Sequence, residues 1–189
     1  MKSLPHFIVI LGCFFSVLAN AKDSRSGIYI NPQYAVASTS SSSPYWDAMD
    51  STGASLEIGY RMESGLGIDL LTKRHKFGPK KTTTSVLGTD LDVTTELDVT
   101  SIGGVLRYFI GDFISIKGGF SYNMLDAKVS LSVAGANVTV AGVSDGIGLV
   151  AGGGLSIPIG PFDLTVDGAI VTLGDVSFLE YSGGLRLYF

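Results

Sequence analysis

Apolar and polar residues alternate along nearly the whole chain after residue 21, where the sequence lacks a convincing 3.6-residue apolar repeat. Alternation with a period of two is typical of β-strands that have two different faces. The pattern therefore predicts eight strands. They cover about residues 27–37, 52–62, 66–76, 91–110, 113–125, 146–157, 162–173 and 177–189.

The links between the predicted strands alternate in length. Turn residues at Glu63–Gly65, Gly111–Asp112 and Pro158–Pro161 predict tight connections. The long links follow the odd-numbered strands and cover residues 38–51, 77–90 and 126–145. An up-and-down antiparallel barrel, with tight turns at one rim and loops at the other, accounts for this order.

The predicted strands have one apolar face and one face that carries charge. The charged face holds five acids and five bases at mid-strand positions: Glu57, Arg61, Asp69, Lys73, Arg107, Lys117, Asp163, Asp167, Glu180 and Arg186. In a soluble barrel these side chains would face water while the apolar face pointed inward. In a membrane barrel the charges lie inside, where they must be paired because an unpaired buried charge is costly.

Aromatic residues favour the membrane arrangement. Membrane barrels carry aromatic girdles near their strand ends, and the apolar face has Tyr34, Tyr60, Tyr108, Tyr122, Tyr181 and Phe189 there. A closed barrel is also the only kind of β-sheet in which every backbone group is hydrogen-bonded within lipid. We therefore expect an all-β fold, an eight-stranded antiparallel up-and-down transmembrane β-barrel. Side chains fill an interior of that size, so the ten charges predict a packed ion network with at most a narrow water path.

The N-terminus predicts a cleaved signal peptide of residues 1–21. Lys2 precedes an apolar run at 7–19, and small residues follow that suit a signal peptidase. Cleavage there would leave residues 22–189 as a single barrel domain. The alternative, a lipoprotein anchor at Cys13, would split the apolar run.

Charge and cysteine content exclude several classes of partner. Loss of the signal peptide removes one base and no acid, so the net charge moves from −4 to −5, which does not suggest a nucleic-acid partner. The remaining chain has no cysteine, hence no disulfide and no thiolate ligand or nucleophile. We expect no cofactor and no metal site.

The C-terminal stretch "YSGGLRLYF" resembles the assembly signal of bacterial outer-membrane proteins. Its alternating residues are Tyr181, Leu185, Leu187 and Phe189. The segments "GASLEIGYRMESGLGID" and "GGVLRYFIGDFISIKGGFSY" resemble hairpins of the small OmpA-like β-barrel family. This resemblance implies a porin-like barrel in the outer membrane of a Gram-negative bacterium. It also implies contact with outer-membrane lipid and lipopolysaccharide, recognition by the barrel-assembly machinery, and a monomer.

Three functions fit such a barrel. A structural or surface-interaction role, such as membrane integrity or loop-mediated recognition, is the first expectation. The alternative is a narrow channel or small-solute conduit of the OmpW-like type, although a charged interior does not favour it. An enzyme that modifies lipid A is the third; these use a serine with a histidine base. No serine lies near His75 on its own strand, so we expect a solvated rim histidine and no enzyme.

Two segments near the predicted loop rim suggest contacts. A basic cluster that includes Arg74, Lys76, Lys80 and Lys81 follows the third strand, where it would contact lipopolysaccharide phosphates or simply keep a loop solvated. Alternation over 127–143 predicts a hairpin that projects above the bilayer. Its edge would pair with a partner strand or lie against neighbouring loops.

Overall fold

The computed structural model describes residues 25–189 except 44, 87–88, 134–135 and 175, so the predicted signal peptide lies outside the described residues. Eight strands make up nearly all of it: β1 Gly27–Ser41, β2 Asp50–Arg61, β3 Leu66–Val86, β4 Thr89–Ile110, β5 Ile114–Val133, β6 Ala136–Ile159, β7 Phe162–Leu173 and β8 Val176–Tyr188. Within the described residues, no helix has the length and hydrophobicity that crossing a membrane requires.

The strands form one closed antiparallel barrel in chain order, as the alternation predicted. Closure comes from β8 pairing with β1, with Tyr188 opposite Tyr29 and Tyr181 opposite Val36. The Phe189 amide extends this ladder by donating to the carbonyl of Ile28, 2.9 Å away. The backbone of the barrel wall is therefore bonded on both sides of every strand, as an apolar solvent demands.

The tight turns, the start of β1 and the end of β8 lie at one end of the barrel, which we call the turn rim. The opposite end is the loop rim. Gly65, Gly111 and Gly160 occupy the turns with φ of +83°, +65° and +60°. At Gly65 a Cβ would also lie 2.8 Å from the carbonyl oxygen of Phe109. These turns require glycine because side chains disfavour the left-handed region.

Four strands are far longer than a membrane crossing needs. A tilted transmembrane strand needs about 9–11 residues, whereas β3 to β6 contain 20 to 24. Their extra length continues beyond the loop rim as a four-stranded sheet, which we call the projecting sheet. Along β5 it extends about 30 Å beyond Met124, because nine further residues follow at the rise of an antiparallel strand.

The projecting sheet corrects two predicted loops and confirms one hairpin. Most of 77–90 and 126–145 is strand, although both were predicted as long links. Outside lipid neither face of a strand must be apolar, and "KKTTTS" in β3 does not alternate. This segment is nevertheless a strand, because β3 continues to pair with β4 after a register shift that follows Phe77. The predicted hairpin over 127–143 is confirmed by the pairing of β5 with β6.

The barrel is apolar outside and polar inside, so the soluble alternative is wrong. Tyr34 and Phe120 are each 62% exposed, whereas Arg107 and Glu57 are fully buried. The predicted girdle residues Tyr60, Tyr108, Tyr122, Tyr181 and Phe189 also point outward and are exposed.

Candidate functional site: the lumen and the projecting sheet

The centre of the lumen is built around one arginine. Arg107 on β4 contacts three carboxylates: Nη2 lies 2.7 Å from Glu57, Nε 2.7 Å from Asp69 and Nη1 2.8 Å from Asp167. These acids come from β2, β3 and β7, so the guanidinium ties together strands from across the barrel. Its planar fork of five donors, against three on a lysine ammonium, suits several carboxylates at once.

A lysine and neutral side chains complete this central layer. The Nζ of Lys117 lies 2.8 Å from Glu57 and 3.5 Å from Asp167. Amides of Asn31 and Gln33 donate to Glu57 and Asp167, and the Tyr29 hydroxyl donates to Asp69. Each carboxylate therefore has more than one donor, which is the condition under which buried charges are tolerated.

A second layer of charges lies at the turn rim. Arg61 contacts Asp112 at 2.8 Å, and Arg186 lies 3.8 Å from Asp163, which also pairs with Arg25. Arg25 and Asp112 were missed in the sequence, one because it precedes the first strand and the other because it was assigned to a turn. With them the luminal ion network of the described residues, His75 aside, contains six acids and six bases.

Aromatic faces support the arginines of this layer. The guanidinium carbons of Arg61 and Arg186 lie 4.3 and 5.2 Å from the ring centre of Phe109, within cation–π range. Among the described residues, the buried side-chain polar atoms that lack a hydrogen-bond partner lie at this end of the barrel: Arg61 Nε and Nη1, Asp163 Oδ2, Arg186 Nε and Tyr188 OH. We expect water to enter from this rim, because buried polar atoms need partners.

A third layer lies towards the loop rim and contains His75. Glu180 on β8 accepts from Lys73 at 2.6 Å and lies 3.0 Å from His75 Nε2. The other ring nitrogen, Nδ1, lies 3.2 Å from the Ser51 hydroxyl. His75 is only 5% exposed, so the prediction of a solvated rim histidine is wrong: the alternation of β3 turns it into the lumen.

Ser51, His75 and Glu180 have the residue types of a hydrolytic triad, but not the access. Sequence reasoning missed Ser51 because it lies on β2, and pairing of β2 with β3 brings it to His75. Ser51 is 6% exposed. The cavity beside His75 and Glu180 has a volume of about 20 Å³, room for about one water. The two contacts of His75 satisfy its buried ring nitrogens.

A cluster of buried apolar side chains, which we call the apolar plug, packs in the lumen from the level of Val105, which pairs with Asp69, to that of Phe77, which pairs with Ser51. Its buried side chains are Ala37, Met49, Leu71, Phe77, Leu97, Val99, Val105, Val150, Ala169, Val171 and Phe178. Met49 comes from the β1–β2 loop, which Thr39 holds by accepting from the Met49 amide at 2.8 Å. Sequence reasoning missed this plug, because apolar residues on the charged face interrupt the alternation without showing that they meet.

The predicted network residues all lie inside the barrel: Glu57, Arg61, Asp69, Lys73, Arg107, Lys117, Asp163, Asp167, Glu180 and Arg186 are each at most 5% exposed. The four residues of the C-terminal motif point the other way, with exposures of 55% at Tyr181, 44% at Leu185, 40% at Leu187 and 76% at Phe189.

The predicted phosphate-contact residues divide between the two faces of β3. Arg74, Lys76 and Lys81 are exposed and face outward. Lys80 instead faces inward, where its Nζ donates to the carbonyl of Asp47 in the β1–β2 loop. The register shift after Phe77 reverses the alternation of β3, so Lys80 faces inward although Arg74 and Lys76 face outward.

The projecting sheet has two edges without a strand partner. Among the residues that the structure describes, β6 pairs with β7 only from Leu149 onward, so 137–145 are bonded to β5 alone. Likewise the backbone of 80–86 in β3 pairs with β4 and with no second strand among the described residues. The β6 edge carries Val138 and Val140, which are 58% and 59% exposed and lie opposite Leu131 and Val129.

Comparisons with known proteins match this architecture. A family model described as outer membrane protein beta-barrel domain matches residues 7–189. Similar solved structures include Ail, the attachment invasion locus protein of Yersinia pestis, with a TM-score of 0.57, 16% identity, and coverage of 87% of this chain and 100% of that one. Neisserial surface protein A gives a TM-score of 0.50 at 19% identity, and the match covers 87% of this chain and 98% of that one. OprG from Pseudomonas aeruginosa gives a TM-score of 0.52 at 13% identity, and the match covers 87% of this chain and 97% of that one. A search of the curated proteins finds no match.

Proposed function

Because the chain belongs to the outer membrane protein β-barrel family, we propose that it is a monomeric, plugged barrel whose projecting sheet recognises a partner at the cell surface. The protein lies in the outer membrane, in contact with its lipids. Short turns face the periplasm in such barrels and long extensions face outward. The turn rim is therefore periplasmic, and the projecting sheet is extracellular.

The filled lumen supports a structural and surface role over a conduit. A solute would have to displace the Arg107 cluster, whose side chains are at most 2% exposed, and then the apolar plug. Separating a buried arginine from its carboxylates leaves uncompensated charge in a medium that solvates it poorly. The eight strands also leave no room for a porin-sized opening.

The observation that carries the recognition role is the β6 edge. Residues 137–145 present unpaired backbone donors and acceptors along one side, and such an edge is a template for another extended chain. Val138 and Val140 lie at this edge beside Leu131 and Val129. A docked strand would gain main-chain hydrogen bonds from the edge and side-chain contacts from these valines, the two components of β-strand addition.

Selection of peptides against the protein in lipid nanodiscs tests this role. We expect extended binders with alternating apolar residues, and slower hydrogen exchange of the amides in 137–145 when they bind. Val138→Lys with Val140→Lys should abolish binding, because an edge lysine opposes strand addition. Thr83→Lys, on the opposite edge, is the matched control. Binders that ignore the valine substitutions, or a dimer of the protein that forms through this edge, would count against the proposal.

A further inference from the structure

We propose that the turn rim of the lumen binds one inorganic phosphate ion, in its dihydrogen form, between Arg61 and Arg186. The proposal rests on polar atoms at this rim and not on the recognition role of the β6 edge. Among the described residues, Arg61 Nε and Nη1, Arg186 Nε and Asp163 Oδ2 are buried without a hydrogen-bond partner. A buried polar atom that stays unpaired is costly, so an ion that pairs with these atoms would stabilise this layer.

The two arginines lie beside the same aromatic ring. Their guanidinium carbons are 4.3 and 5.2 Å from the ring centre of Phe109, so the two groups are neighbours in the lumen. A ring face stabilises a cation, but the N–H donors of a guanidinium lie in its plane and need acceptors there. Stacking on Phe109 therefore leaves those donors available to an anion.

The acceptors that the barrel supplies satisfy only part of each guanidinium. Within the described residues, Arg61 donates through Nη2, to the Gly111 carbonyl at 2.9 Å and to Asp112 at 2.8 Å. Arg186 donates through Nη1 to the Ser156 hydroxyl at 3.0 Å. Three buried donors on the two arginines thus remain for the oxygens of one tetrahedral oxyanion. Hydrogen bonds between arginine and phosphate are strong because both partners are charged.

An excess of positive charge in this layer favours a monovalent anion. Arg25, Arg61 and Arg186 face two carboxylates, those of Asp112 and Asp163. The central layer has the opposite excess, with three acids and two bases, but each of its carboxylates already has donors within that layer. One negative charge at the turn rim would therefore compensate buried cations that lack a full set of partners.

The unpaired oxygen of Asp163 distinguishes phosphate from other oxyanions. Its other oxygen pairs with Arg25, whereas Oδ2 lies 3.8 Å from Arg186 Nη1, too far for a hydrogen bond. A carboxylate oxygen accepts hydrogen bonds and cannot donate them. Dihydrogen phosphate has unprotonated oxygens for the arginines and a P–OH group that donates to Oδ2. Sulfate has no proton at neutral pH and would place an oxygen against the carboxylate.

The turn rim gives a small ion access to this layer. Arg25 lies at the opening, where its side chain is 19% exposed and its Nη2 donates to the Gly160 carbonyl at 2.8 Å. The side chains of Arg61, Asp163 and Arg186 lie behind it and are at most 4% exposed. Displacement of Arg25 admits an ion of the size of phosphate, whereas a phosphate ester also has to bring its organic group into the enclosed space. We therefore assign the ligand as the free ion.

Isothermal titration calorimetry of the mature protein, refolded in detergent micelles that leave both rims accessible, tests the proposal. The buffer contains neither phosphate nor sulfate. We expect one inorganic phosphate to bind per chain. Sulfate should bind at least about tenfold more weakly, because a hydrogen bond to a charged group corresponds to roughly that factor in affinity.

Substitutions at the site should change this binding in different ways. Arg61→Lys keeps the positive charge beside Asp112 but lacks the donors Nε and Nη1, so the phosphate affinity should fall about tenfold. Asp163→Asn should remove the preference for phosphate over sulfate, because the new amide can donate to either ion. Arg74→Gln is the matched control: this arginine is 64% exposed on the outer face of β3, and its loss should leave phosphate binding unchanged. Heat-modifiable gel mobility confirms that each variant is folded, and Arg186→Lys replaces Arg61→Lys if that variant does not fold.

Each of the following results would overturn the assignment. No binding by wild type at about 10 mM phosphate would show that water alone pairs with the buried atoms. Equal affinity for sulfate and phosphate would exclude the contact with Asp163. Glycerol 3-phosphate that binds as tightly as inorganic phosphate would exclude the free ion as the selected ligand. Equal loss of binding in Arg74→Gln and Arg61→Lys would place the phosphate outside the lumen. Phosphate binding that requires Asp23→Asn, at a position outside the described residues, would make a carboxylate of the chain itself the occupant.

Discussion

Replacement of Arg107 by glutamine tests the central claim that the luminal charges hold the barrel together. The substitution removes contacts of 2.7, 2.7 and 2.8 Å to three carboxylates. Lys117 would remain as the cation of this layer and reaches two of them, at 2.8 and 3.5 Å. Three negative charges would then share one positive charge in a site that is almost wholly buried.

The expected loss is large because the partners cannot turn to water. Removing one member of a buried ion pair costs about 3–5 kcal/mol, and the three contacts of Arg107 place this variant towards the upper end. We would measure urea unfolding of the protein refolded in lipid vesicles, followed by heat-modifiable gel mobility. With a urea dependence of about 2 kcal/mol per molar, the midpoint should fall by roughly 2 M.

Two further variants make the result specific. Arg74→Gln removes an arginine that is 64% exposed and paired only at 3.6 Å, so its cost should stay below about 1 kcal/mol. Arg107→Gln combined with Glu57→Gln should cost less than the sum of the two single variants, because each single substitution leaves a buried charge without its partner. A midpoint for Arg107→Gln that equals that of Arg74→Gln would refute the reasoning.

Three other predictions concern the plug, the C-terminus and the N-terminus. Planar-bilayer recording of the refolded protein should show no defined single-channel steps, because Arg107 and the apolar plug fill the lumen; steady steps would favour the conduit. If the assembly machinery recognises Phe189, its deletion should lower the folded yield in the outer membrane and leave refolding in detergent nearly unchanged. Equal losses in both assays would show that Phe189 contributes to stability instead. The intact mass of the mature protein should match residues 22–189, and a mass that includes a lipid on Cys13 would support the lipoprotein alternative.

The strands within the membrane could be predicted from sequence because one solvent dictates their pattern. Lipid requires an apolar residue at every second position, and the lumen accepts polar ones, so Leu185 and Arg186 read as outward and inward neighbours. The same logic placed Glu57 and Arg107 inside the barrel. It failed beyond the loop rim, where water on both sides of β3 removes the constraint that makes a strand visible.

Sequence alone thus determined the fold class, the number of strands, and ten of the twelve charges of the luminal network. Only the tertiary structure decided which side chains meet, because contacts across a lumen depend on register and barrel closure. Closure brings Glu180 of β8 to Lys73 and His75 of β3, and it gathers scattered apolar residues into a plug. Strand length determined the exposed edge: β6 extends beyond the residues that pair with β7. That difference leaves the β6 edge on which the proposed recognition depends.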